Sequence, residues 1–190
     1  KAIMTSTVHQ RASDRTAEAA EHIEGDIIVM VQGDEPMTVP DMIDSAVQPL
    51  LDDESVICSN LAKRIETVEE MRDPNTIKVA LDLKGDALYF SREPIPTVGV
   101  IGFENVPVFK QVCIMPFRRE ALKLYTELEP TPLEQAESVD MMRYLEHGYK
   151  VRLIETPYLT HAVDTADDLA MVEARMRDDP LNASYLGESS

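Results

Sequence analysis

Two aspartates stand where an α/β protein would place a ligand. Asp34 lies in Gln32-Gly33-Asp34-Glu35-Pro36, directly after the apolar run from Asp26 to Val31, and open α/β sheets bind ligands beyond the carboxyl ends of their strands. Asp164 lies in His161-Ala162-Val163-Asp164-Thr165, immediately before a capped helix start. Carboxylate oxygens are hard donors that suit Mg²⁺, so the pair forms a candidate metal site if the fold brings it together. The ordinary alternatives are a solvated turn at Gly-Asp-Glu-Pro and a helix-terminal charge at Asp164. Glu134 and Glu137 are three apart and share a helix face; Glu134 has a structural explanation as a capping-box acid, and Glu137 has none. Arg15 and Arg92 stand beside helix and hairpin ends, where a guanidinium meets phosphate or carboxylate bidentately or pairs with a neighbour on the surface. His9, His22 and His147 read as surface residues, whereas His161 neighbours Asp164. The chain has no P-loop, GxGxxG, HExxH or GxSxG motif, which removes the commonest nucleotide, hydride, zincin and hydrolase signatures.

The elements that must position these groups alternate between helix and strand. The pattern predicts a helix from Arg15 to Ile23, with Ser13 or Asp14 as cap, then a strand at Asp26 to Val31 whose unbroken apolar character suits a parallel sheet covered on both faces. Pro40 opens a helix to about Leu51, Ser55 to Lys63 reads as a strand, and Thr67 to Glu70 has capping-box spacing for a short helix. Ile77, Val79 and Leu81 alternate with Lys78, Ala80 and Asp82, Gly85 turns the chain, and Ala87 to Ser91 returns, which predicts a β-hairpin. A strand around Lys110 to Met115 and a helix from Arg119 to Leu128 follow. Thr131-Pro132-Leu133-Glu134 is the strongest helix start in the chain, and that helix should run to His147 and stop at Gly148. Val151 to Glu155 reads as a strand. Thr165 caps a last helix with Leu169, Val172 and Met176 on one face, and the tail from Asp179 to Ser190 looks frayed. The expected class is α/β: a Rossmann-like, mixed and mainly parallel sheet in one domain over residues 1–190, interrupted by an antiparallel insertion at 77–115.

Composition narrows the partners. With 18 Lys and Arg against 35 Asp and Glu, the 190-residue chain carries a formal charge of −17, which repels phosphodiester backbones and anionic bilayers. A small polyanion remains admissible if a divalent cation or local bases neutralise it. The run from Ile27 to Val31 falls far short of the roughly 20 residues of a membrane span. Cys58 and Cys113 lie far apart in apolar segments and read as reduced core thiols of a cytoplasmic protein; the ten Met residues read as core filler. The first residues, Lys1 to Ser6, open on what looks like the end of a strand, which suggests a chain truncated at its start.

Taken in order, Met4-Thr5-Ser6, His9 through Asp14-Arg15, Val31-Gln32-Gly33-Asp34-Glu35-Pro36, Asp73-Pro74-Asn75, Ala87 to Arg92 with Pro94-Ile95-Pro96, Pro132-Leu133-Glu134 with Glu137, and Val163-Asp164-Thr165 with Asp168-Leu169 resemble the 3-deoxy-manno-octulosonate cytidylyltransferases. The resemblance spans nearly the whole chain, without the family's first strand and the basic loop that grips the CTP triphosphate. It implies a nucleotide-diphospho-sugar transferase fold, a homodimer, and Mg²⁺-dependent transfer of CMP from CTP to a 3-deoxy sugar acid for lipopolysaccharide assembly, with release of pyrophosphate. It further implies Asp34 and Asp164 as metal-binding catalytic aspartates, Ser6, Arg15, Gln32 and Gly33 beside the nucleotide, Gln32, Arg92, Gln111, Glu134 and Glu137 beside the sugar, and, at 77–115, an insertion that takes part in sugar binding and forms the dimer. Three stretches depart from the family pattern: Arg11-Ala12-Ser13-Asp14-Arg15 stands for Ser-Gly-Thr-Asp-Arg, Lys110-Gln111-Val112-Cys113 for Lys-His-Ile-Gly, and Ala162 for the Gly before Val-Asp-Thr. Gln111 replaces a His that faces the sugar in many members, which points to an acceptor such as an amino sugar acid. A cytidylyltransferase for a sialic-type acid and a non-catalytic module binding a sugar acid or nucleotide are the rival readings.

Overall fold

The computed structural model describes residues 1–177, 179, 181 and 182, so most of the tail expected to fray lies outside the described residues. Two sheets organise the chain. Strand β1 (Ile27–Val31) pairs antiparallel with β6 (Ile114–Arg118), Ile27 facing Arg118 and Val31 facing Ile114. A five-stranded sheet runs in the order β4 (Ala87–Ser91), β3 (Lys78–Leu81), β5 (Phe109–Val112), β2 (Ser59–Arg64), β7 (Arg152–Glu155). The mixed α/β class stands, and the expected hairpin is β3–β4. The expectation of a mainly parallel sheet is corrected: among the described pairings only β2 with β7 is parallel. An apolar run reports that a strand is covered, whichever way its neighbour runs. In β1 the burial even alternates, with Ile28 and Met30 turned inward. Segment 77–115 belongs to the same sheet, since β5 pairs with both β3 and β2.

Helices α1 (Ala12–Ala20), α2 (Pro40–Asp52), α3 (Val68–Arg72) and α4 (Arg119–Glu127) lie near their expected places. Helix α1 starts three residues early because its cap comes from afar: the Asp140 carboxylate accepts the Ser13 N–H at 3.0 Å. The helix expected from Thr131 to His147 is two, α5 (Pro132–Glu137) and α6 (Met141–Glu146), broken where Ser138 adopts φ 55°, ψ 48°. The reason is electrostatic. Nine residues along one helix would put Glu134 and Arg143 on opposite faces and about 13.5 Å apart. The break folds them into a bidentate pair at 2.7 and 2.8 Å. Helix α7 (Ala166–Arg177) closes the described chain and buries Val172, while Leu169 stays about half exposed.

The strand expected at Lys110 to Met115 changes sheets at Cys113, the one residue between β5 and β6. Both backbone groups of Cys113 pair with the turn after β1: its N–H donates to the Glu35 carboxylate at 3.2 Å and its C=O accepts from Gln32 N–H at 3.2 Å. The core packs Phe90, Phe117, Tyr125, Tyr144, Met141 and Met142 between sheet and helices. Six methionines are buried, whereas Met4 is exposed. Cys58 and Cys113 are unpaired, and burial raises both thiols above their ordinary range.

Candidate active site

The parting of the two sheets at Cys113 opens a cleft of about 820 Å³, whose lining includes Gln32, Asp34, Arg92, Lys110, Gln111 and Asp164. Asp34 and Asp164, 130 residues apart in sequence, are stitched together by the main chain, the Val163 N–H donating to the Asp34 carbonyl at 2.9 Å. The Asp34 Oδ1 is buried and has no hydrogen-bond partner, which is costly for an acceptor unless a cation or water meets it. The Asp164 carboxylate is exposed and likewise accepts no hydrogen bond from a described residue. Among the described residues no three His, Cys, Asp or Glu side chains are grouped to hold a metal. A cation here would therefore take two carboxylates from the protein and its other oxygens from substrate or water.

The turn that presents Asp164 is built by Asp168. Its Oδ2 accepts from the N–H groups of Asp164 and Thr165 and from the Thr165 hydroxyl, and its Oδ1 meets His161 Nε2 at 2.9 Å. The Thr165 and His161 hydrogen bonds hold the Asp168 carboxyl down at about 2, so it stays charged and the turn stays closed at any physiological pH. Helix α7 thus takes its capping acid from Asp168 and leaves Asp164 free. Glu35 behaves oppositely: burial, reinforced by Asp34 and Asp164, raises its carboxyl above the ordinary value although the Cys113 N–H partly offsets this.

Gln111 has its amide turned by a buried neighbour. The Asn60 NH₂ donates to the Leu61 and Val112 carbonyls at 2.9 and 2.7 Å, so Asn60 Oδ1 is left to accept the Gln111 Nε2 at 2.5 Å. The Gln111 Oε1 therefore remains as an acceptor at the cleft. Arg92 is anchored by Nε to the Glu137 carbonyl at 2.8 Å and by Nη1 to the Pro74 carbonyl at 3.0 Å.

The other expected site residues lie elsewhere. Arg15 Nη1 donates to the Thr5 hydroxyl and the Ser6 carbonyl at 2.5 and 3.1 Å, and the Ser6 N–H meets Glu18, which also binds His9. Ser6 and Arg15 thus meet one another in the first segment, apart from the lining of the cleft. Gly33 is exposed beside Asp34, and a Cβ there would meet nothing.

The two glutamates expected beside the sugar are engaged by the protein's own groups. Glu134 is fully buried, its oxygens taken by Arg143, the Tyr125 hydroxyl and the Thr131 N–H. Burial alone would raise its carboxyl, but these hydrogen bonds hold it below the ordinary value. Glu137 accepts from the Tyr89 and Ser91 hydroxyls and the Arg92 N–H, tying α5 to β4. Glu134 is thus buried with both oxygens doubly engaged, whereas Glu137, half-buried, keeps acceptor capacity on Oε2, which takes only the Arg92 N–H. Sequence reasoning missed Glu35, Asn60 and Lys78. Only Glu35 carried a signal, its place beside Asp34; the other two are seen only once β2, β3 and β5 are paired.

Comparison with known proteins places the chain in a family. A family described as Cytidylyltransferase matches residues 1–154. The 3-deoxy-manno-octulosonate cytidylyltransferase of Geotalea uraniireducens is 40% identical over 186 residues, covering 93% of this chain and 74% of the relative. A solved CMP:2-keto-3-deoxy-manno-octonic acid synthetase complexed with CTP superposes with TM-score 0.84 at 36% identity, over 93% of this chain and 72% of that one. The 4-diphosphocytidyl-2C-methyl-D-erythritol synthase of Anaerococcus prevotii, at 11% identity and TM-score 0.55 over 89% of this chain and 68% of its own, shares the fold alone. By sequence and by fold, the chain belongs to the 3-deoxy-manno-octulosonate cytidylyltransferase family.

Proposed function

We propose that this chain transfers CMP from CTP to the anomeric hydroxyl of a 3-deoxy-manno-octulosonate-type sugar acid, releasing pyrophosphate, in the cytoplasm and for lipopolysaccharide assembly. The observation that carries this reading is the juxtaposition of Asp34 and Asp164 at the cleft, with a buried Asp34 oxygen that no described residue satisfies. An all-oxygen pair of carboxylates fits Mg²⁺. When bound, the ion offsets charge that builds on the α-phosphate oxygens as the sugar hydroxyl attacks. Asp34 and Asp164 would hold it, and the Asp168 turn keeps Asp164 in place.

Arg92, fixed at Nε and Nη1, keeps Nη2 for the sugar carboxylate. Gln32 and Gln111 line the same cleft as hydrogen-bonding partners for substrate. We assign Ser6, Arg15 and Gly33 to the nucleotide side. Val100 is 86% exposed, and Ile101 and Leu88 of the same segment 77–115 are also exposed apolar residues, which supports that segment as the contact between two copies.

The test is an assay of pyrophosphate release by the product of the whole gene, supplied with CTP, Mg²⁺ and 3-deoxy-manno-octulosonate. Release that requires all three, together with formation of the CMP-sugar, is the expected result. Binding of sugar acid or nucleotide without release would overturn this reading in favour of a non-catalytic module.

A further inference from the structure

Strand alternation turns Lys78 outward with Ala80 and Asp82, yet Lys78 is fully buried. Its ammonium donates to three main-chain carbonyls: Asp73 at 2.9 Å, Thr76 at 2.6 Å, and Arg92. Those three bonds use every donor a lysine has. No carboxylate among the described residues lies within salt-bridge distance of it. Burial, with Arg92, pulls its ammonium below the ordinary lysine value, while Asp73, Glu93 and Glu137 nearby favour the charged form. A methionine would fill this space without stripping a charge of water. What the ammonium does that an apolar side chain cannot is gather carbonyls from two segments, the turn 73–76 and the end of β4.

Both segments reach the cleft, where Asp73, Asn75, Thr76 and Arg92 form part of the wall. The Arg92 guanidinium grips the same turn between the two points held by Lys78, at the Pro74 carbonyl. Backbone and side chain of Arg92 are thus fixed from opposite ends, by Lys78 on its carbonyl and by Pro74 and Glu137 on its guanidinium. We infer that Lys78 is a positioning residue for the sugar-acid end of the cleft, setting Arg92 and the turn 73–76 as one unit so that the free Nη2 of Arg92 faces the sugar carboxylate. This rests on the reaction proposed above.

Lys78→Met and Lys78→Gln test it in the whole gene product, assayed well below the melting temperature. The expected result for Lys78→Met is a KM for the sugar acid raised about tenfold or more, with KM for CTP within about twofold and kcat changed less than the sugar KM. Lys78→Gln restores two N–H donors and should fall between Lys78→Met and the unaltered protein. An equal rise in both KM values, no change in either, or failure of both variants to fold would make Lys78 an ordinary core residue and overturn the inference. Absence of CMP transfer by the unaltered protein would instead remove the reaction on which the inference depends.

Discussion

Around the α5–α6 break every buried acid is matched. Glu134 takes two hydrogen bonds from Arg143, whose guanidinium also stacks 4.0 Å above the Tyr125 ring, and Asp140 takes the Ser13 N–H. At the end of β1 the same functional group is left unmatched: Asp34 has a buried, unpartnered oxygen, and Asp164 beside it accepts nothing from the described protein. The first region shows carboxylates engaged in holding helices together; the second shows carboxylates that no described residue engages, as the metal-binding role proposed above requires. Both kinds lie in the same stretches of family-like sequence. What separates the structural acids from the two proposed as metal ligands is whether their lone pairs are already used.

Substitutions should split along that line. Asp34→Asn and Asp164→Asn each remove an anionic oxygen ligand, and we expect turnover to fall about 1,000-fold or more, ~4 kcal/mol of transition-state stabilisation. The melting temperature should stay within about 3 °C, since neither carboxylate accepts a hydrogen bond from a described residue and a change below about 1 kcal/mol moves a domain of this size little. Pyrophosphate release at saturating Mg²⁺ beside a calorimetric melt checks both halves. Near-normal turnover in either variant would remove that residue from the site.

Arg143→Met should do the reverse. Leaving Glu134 buried and unpaired costs about 3–5 kcal/mol, or roughly 10 °C in melting temperature. The KM values at 15 °C should be unchanged, because Arg143 does not line the cleft. Thermal unfolding by circular dichroism measures the first, and a large kinetic defect in folded Arg143→Met would blur the contrast.

A smaller effect is expected at the substrate end. Asn60 turns Gln111 so that it offers an oxygen, which suits a hydroxyl or an ammonium as donor. Gln111→His should shift the ratio of kcat/KM from the 8-amino sugar acid towards the ordinary one by about tenfold, ~1.4 kcal/mol for one altered polar contact. A competition assay with both sugars reads that ratio directly, and an unchanged ratio means that Gln111 does not select.

Local signals were legible wherever a residue's partner lies within one or two turns of chain. The Pro40 start of α2, the Thr67 cap of α3, where the hydroxyl accepts the Glu70 N–H at 3.1 Å, and the β3–β4 hairpin all follow from such spacing. The order of motifs was enough to identify the family, because colinear short motifs are independent constraints on one sequence. Which carboxylates were free was not legible. Glu134 and Glu137 share the same residue type and helix face, and their roles depend on Arg143, Tyr89 and Arg92, brought in from 9 to 48 residues away. The direction of β1's partner, the break at Ser138, the cap that Asp140 lends to α1 and the burial of Lys78 were likewise decided only in three dimensions. Sequence period reports whether a side chain is covered and where helices can start; hydrogen-bond partners across long loops exist only after the sheets have paired, and it is those partners that decide which acids hold the structure and which face the cleft.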